Sequence, residues 1–95
     1  MSAYVISSIT VTDPVKYENY KALGPAAVAE HGGKFLVRGG EVTVLEGVWE
    51  HPRVVVSEFP TIAAAKAFYD SEKYRAARAE RAGAARFNMI VVEGV

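Results

Sequence analysis

The chain contains no cysteine. Disulfides, thiol nucleophiles and cysteine-ligated zinc or iron–sulfur centres are therefore excluded together. Only two histidines are present, His31 and His51. Without cysteine beside them they make a poor ligand set; no metal site is expected, and a mixed His/carboxylate site is the alternative left open. Neither charge sign is in excess, since eleven Lys/Arg balance eleven Asp/Glu. No field of one sign is available to steer the protein to nucleic acid or an anionic membrane. No apolar run approaches the roughly 20 residues that span a bilayer. The start, Met1-Ser2-Ala3-Tyr4, carries no basic region or cleavage signal. A cytoplasmic protein with neither a nucleic-acid nor a membrane partner is the default expectation.

What is present is apolar. The hydrophobic fraction is 51% and the charged fraction 23%, the balance of a folded globular chain. Its length suits a single domain over residues 1–95. Residues 3–11 are rich in β-branched and aromatic types and read as a strand. Asp13-Pro14 opens a helix, with Asp13 as N-cap and Pro14 at the first helical position. Gly24-Pro25 interrupts that helix and predicts a kink or two short helices. Gly32-Gly33 stops it. Residues 34–38 form the second strand, with a bend or bulge expected at Gly39-Gly40, followed by an extended arm over 41–46. Residues 53–59 form the third strand. Thr61 and Ser71 each cap a helical segment, and residues 86–93 form the last strand. The order is β-α-β-β-α-β, an α+β domain with one four-stranded antiparallel sheet and its helices on one face.

The alternation within the strands says more. On the third strand Val54 and Val56 point one way, Val55 and Phe59 the other. On the fourth, Phe87, Met89 and Val91 oppose Ile90 and Val92. Both faces of the sheet are apolar, whereas a sheet with one wet face alternates apolar with polar. Helices cover only one face, and the other would expose an apolar patch unusual for a monomer. A second copy related by a two-fold axis is the expected partner. The competing reading is a monomer whose 41–52 arm folds over the open face.

Three stretches also resemble a known family. They are His31-Gly32-Gly33-Lys34-Phe35-Leu36-Val37-Arg38-Gly39-Gly40, then Val44-Leu45-Glu46-Gly47 with Trp49, then Ser57-Glu58-Phe59-Pro60 with Ala64-Ala65-Lys66-Ala67-Phe68-Tyr69 and Tyr74. Together they are similar to the domain of unknown function 1330 family over essentially the whole chain. The resemblance implies a ferredoxin-like fold in which two subunits close their sheets into a dimeric α+β barrel. It implies no established reaction. Relatives with that barrel include cofactor-independent monooxygenases and proteins with no assigned catalysis, so fold analogy alone says little about function.

Polar residues inside strands mark candidate sites, because a polar group facing an interior needs a partner. Arg38, Ser57, Glu58 and Asn88 qualify, with Ser7 and Ser8. Arg38 and Glu58 either pair within the sheet as a structural or rim ion pair, or together shape an anion- or carbonyl-binding spot. His31, at a helix end, is either a general base or a residue bound to free helical carbonyls. Tyr17, Tyr20, Tyr69 and Tyr74 are core, interface or the wall of a pocket for a small aromatic or apolar ligand. Trp49 reads as an anchor across a dimer. The candidate catalytic pair is thus His31 and Glu58, and the candidate ligand contacts are Tyr20, Arg38 and Tyr69. No P-loop, dinucleotide fingerprint or G-x-S-x-G elbow is present, and no cofactor is expected. Two classes of function fit. One is a homodimer that binds or transforms a small organic molecule, in the manner of a cofactor-independent oxygenase or isomerase if it is an enzyme. The other is a non-catalytic accessory, stress or ligand-sensing protein.

Overall fold

In the computed structural model, which describes residues 1–95, the first β-branched run forms β1 (Ala3–Val11). Asp13 accepts the Lys16 amide at 3.1 Å and Pro14 opens α1 (Pro14–Glu30). The cap and the proline together satisfy the first orphan donors of the helix. β2 (Lys34–Arg38), β3 (Arg53–Phe59), α2 (Ile62–Asp70), α3 (Glu72–Arg81) and β4 (Ala85–Glu93) follow. Thr61 and Ser71 cap α2 and α3 as their sequence context predicts. No helix is long and apolar enough to cross a membrane.

In two local expectations one of the alternatives is corrected. Gly24-Pro25 does not divide α1, which continues from Pro14 to Glu30. Proline at position 25 cannot bond the Lys21 carbonyl four residues back, but that carbonyl finds another donor. The Arg38 guanidinium reaches it from β2 at 2.9 Å. Gly24, without a Cβ, also removes part of the steric clash that bars other residues from helix before proline. At Gly39 the expected bend is present, and only the bulge is displaced. It lies between Phe35 and Val37, at Leu36, and β2 ends at Arg38 ahead of Gly39. Gly39 takes a left-handed φ of 74° and turns the chain outward.

The end of α1 is closed by a Schellman motif. Gly32 adopts φ 74°, its amide bonds Ala29, and the Gly33 amide bonds Val28. Gly33 is required for a different reason. A Cβ there would lie 2.6 Å from the Phe59 ring and 2.8 Å from Val28.

The sheet order is β2-β3-β1-β4, antiparallel throughout. Its registers align Ala3, Val5, Ser7 and Ile9 with Phe59, Ser57, Val55 and Arg53. Met89 and Phe87 stand opposite Ser7 and Ile9 on the other side. This row faces the helices. Phe59, Phe68 and Tyr74 form its densest contacts, with ring centroids 5.0 Å and 4.3 Å apart along the chain of three. The opposite row carries Tyr4, Ile6, Val54, Val56, Ile90 and Val92, and no element covers it. The molecule measures 32 × 30 × 16 Å, the thickness of one sheet and one helix layer. Its surface of 5878 Å² exceeds the roughly 5,400 Å² expected of a globular monomer of 10.3 kDa. The arm after Gly39 is exposed along its length, with Leu45 and Val48 almost fully so. It does not fold over the open face. At its root, His51 Nδ1 meets the Thr10 hydroxyl at 2.7 Å.

Candidate functional site

Two adjacent spaces lie between the helix layer and the sheet. The larger is an apolar groove of about 290 Å³ between α2 and the edge strand β4, with Tyr69, Ala65, Val91 and Ile90 among its walls and Lys66 and Asp70 at its rim. The smaller, about 40 Å³, is an inner cleft beneath α1. Val5, Phe68 and Met89 line both. They separate the two spaces, and Met89, unbranched and flexible, is the most adaptable of the three.

The inner cleft is built by periodicity. Tyr17, Tyr20, Lys21, Gly24 and Val28 lie at helical spacing on α1 and present one stripe to it. From the sheet come Ser7, Ser57 and Val55, with Arg53 and Phe87 at one end and Met89 further along. Tyr20 and Tyr74 share a hydroxyl–hydroxyl hydrogen bond of 2.6 Å. Burial, then the neighbouring Tyr74, push the Tyr20 phenol well above its ordinary range, with Arg81 opposing weakly. Burial raises Tyr17 as well, and Arg53 opposes it. Both tyrosines keep their protons at neutral pH, and so act as hydrogen-bonding walls and not as bases.

Arg38 reaches this side of the sheet because of the bulge at Leu36. Lys34 pairs with Glu58 on the open face, and Phe35 pairs with Ser57 on the helix face. Without the extra residue, Arg38 would share the face of Lys34. With it, Arg38 stands beside Val55 and packs its guanidinium 4.7 Å from the Phe35 ring. Arg53 lies 5.7 Å from the Tyr17 ring and directly against Gly39, where a Cβ would collide with its guanidinium.

The candidate residues separate into three places. Tyr20 and Arg38 line the inner cleft, and Tyr69 lines the outer groove, with Arg78 stacked 4.1 Å from its ring. Glu58 lies on the opposite sheet face from Arg38, and the two do not pair. Its partners are Lys34 at 3.5 Å and the Tyr4 hydroxyl at 3.4 Å. The Ser2 hydroxyl holds its carboxyl below the usual range; desolvation opposes this, and Lys34 and Tyr4 add to the lowering. His31 caps α1, with Nδ1 3.3 Å from the Ala27 carbonyl. Neither His31 nor Glu58 lines the inner cleft or the outer groove. No three His, Asp or Glu side chains come together as a ligand set. Arg53 was not singled out from the sequence, yet the signal was there. It shares the two-residue period of Val55, Ser57 and Phe59, which all face the helices.

The fold has counterparts among known proteins. A family described as Domain of unknown function (DUF1330) matches residues 2–95. No curated protein sequence matches the chain. Among solved structures, the chain is similar to the RPA0582 protein of unknown function from Rhodopseudomonas palustris, at 18% identity and a TM-score of 0.78, covering 99% of this chain and 82% of that one. A dimeric ferredoxin-like protein of unknown function from Jannaschia sp. CCS1 matches with 13% identity, a TM-score of 0.74 and coverage of 99% and 100%. SnoaB, a cofactor-independent oxygenase from Streptomyces nogalater, matches with 14% identity, a TM-score of 0.69 and coverage of 99% and 93%. At these identities the likeness is one of fold.

Proposed function

The chain belongs to the DUF1330 family, and from that membership we propose that it is a homodimeric barrel protein whose subunits each hold a small, largely apolar organic molecule between sheet and helices. The observation that carries this reading is the 290 Å³ apolar groove beside the inner cleft, with Val5, Phe68 and Met89 as shared walls. Concave, mostly apolar spaces with a few convergent polar groups are what small-molecule sites look like. Dimerisation is supported by the uncovered apolar sheet face and by similarly folded proteins described as dimeric. The cofactor-independent oxygenase among them is a precedent for chemistry in this fold. The cleft itself favours binding over acid–base catalysis, since it holds tyrosines, serines and cations but no carboxylate or imidazole.

A thermal-shift screen with small aromatic and alkyl compounds tests the reading, because a ligand of the folded state raises the melting temperature. The best binder should lose roughly two- to tenfold in affinity on Tyr69→Ala, a partly exposed groove wall whose removal leaves the core intact. A ligand whose affinity is untouched by Tyr69→Ala and by Met89→Ala binds elsewhere, and the groove is then not the site.

A further inference from the structure

None of the six arginines makes an ion pair; the four ion pairs of the molecule use Lys21, His31, Lys34 and Lys73. Two of these guanidiniums, the exposed Arg38 and the half-buried Arg53, line the inner cleft from adjacent strands and on the same sheet face. Lys21, the third cation on its wall, is held by Glu18 at 3.2 Å. No acidic residue lines the cleft. Arg53 Nε is buried with no hydrogen-bond partner. Positive charge is therefore concentrated without compensation at one place in a chain whose net charge is zero. Such a guanidinium is matched by a planar anion that accepts two parallel hydrogen bonds.

The rest of the cleft fixes what surrounds that anion. The registers place Arg53 with Ile9 and Phe87 at one end and Ser57 with Val5 at the other. Four strand residues separate these ends, about 13 Å at 3.3 Å per residue. Between them the sheet contributes Val55, Ser7 and Met89, and α1 contributes the Tyr17 and Tyr20 rings, so the walls are apolar apart from the Ser7 and tyrosine hydroxyls. The 40 Å³ of free space holds about three water-sized groups, the bulk of one carboxylate, at roughly 10–15 Å³ each. On the far side of Met89 and Phe68 lies the 290 Å³ groove.

We infer that the ligand is an amphipathic monocarboxylate, its carboxylate seated between Arg38 and Arg53 and its apolar body running past Met89 into the groove under α2. This rests on the reading of the cleft as a small-molecule site and adds the chemical class of what enters it. Gly39 belongs to the same device. Its missing Cβ lets the Arg53 guanidinium lie against the backbone at the turn out of β2.

The test compares 4-phenylbutyrate with its primary amide, which matches it in shape but carries no charge. Binding to the full chain is measured by calorimetry. The carboxylate should bind at least tenfold more tightly than the amide, and raising the salt from low to physiological should weaken only the carboxylate. Arg53→Gln, checked for folding by circular dichroism, should lower carboxylate affinity about tenfold and leave the amide unchanged. Equal binding of acid and amide overturns the anion inference but leaves the cleft reading standing. Binding of neither overturns both. If Arg53→Gln leaves carboxylate affinity intact, or turns a dimer into monomers by light scattering, the guanidinium does not serve a ligand and the inference fails. The salt comparison uses the unaltered chain, so it decides the matter even where the variant does not fold.

Discussion

At the scale of single residues, Arg38 shows how one side chain serves two elements. Its guanidinium donates to the Lys21 carbonyl, the group that Pro25 leaves without an intrahelical donor. The helix and the strand are thus coupled through one hydrogen bond. Removing Arg38 should cost about 1 kcal/mol. In the Pro25→Ala variant the restored backbone N–H competes for the same carbonyl, and Arg38→Ala should then cost less than half as much. Urea denaturation of the four chains of this double-mutant cycle measures the coupling. Additive effects would mean that the carbonyl is satisfied in some other way. The same residue shows where sequence reading stopped. Arg38 was visible as a polar residue in a strand, but a two-residue period puts it on the face of Lys34 and within reach of Glu58. One bulged residue, Leu36, moved it to the other face.

At the scale of elements, the joint between α2 and α3 depends on Ser71. Its backbone amide and its hydroxyl both bond the Phe68 carbonyl, the hydroxyl at 2.7 Å, and its Oγ accepts the Tyr74 amide at 3.1 Å. One residue therefore closes the first helix and caps the second. It also sets Phe68 and Tyr74 in contact, with ring centroids 4.3 Å apart. Ser71→Ala should lower stability by about 1–2 kcal/mol. Ser71→Asp keeps the N-cap acceptor and loses only the donor, so it should lose less. Equal losses in chemical denaturation would show that the cap contributes nothing. These caps were legible in advance, because an N-cap is a local pattern of a few residues. The continuity of α1 through Gly24-Pro25 was not, because the donor that rescues it comes from a strand 17 positions further on.

At the scale of the whole molecule, the consequential feature is a sheet with a helix layer on one side and nothing on the other. Ile90 and Val92 remain 59% and 44% exposed there, where burial against a second copy would remove apolar surface at about 25 cal/mol per Å². The unaltered chain should run at twice 10.3 kDa in light scattering at micromolar concentration. Ile90→Lys should bring it to the mass of one chain, since an unpaired charge in an apolar interface is costly. Val15→Lys, at a still more exposed position on α1, should leave the mass unchanged. A single-chain mass for the unaltered protein sinks the dimer. A dimer that survives Ile90→Lys moves the interface off this face.

The sequence by itself determined the element order, the caps and the two apolar faces of the sheet. All of these follow from short-range rules, namely side-chain period, proline and glycine chemistry, and the types of residue that open helices. Family resemblance added the barrel-forming fold over the whole chain. Only the tertiary structure decided which candidate residues share a space. Tyr20 and Arg38 do, while His31 and Glu58 stay apart from them. Arg53 joined the cleft through strand register alone. The physical reason is the same in each case. Which face a strand residue takes depends on every pairing and bulge between it and its neighbours, and that sum is settled only when the sheet forms.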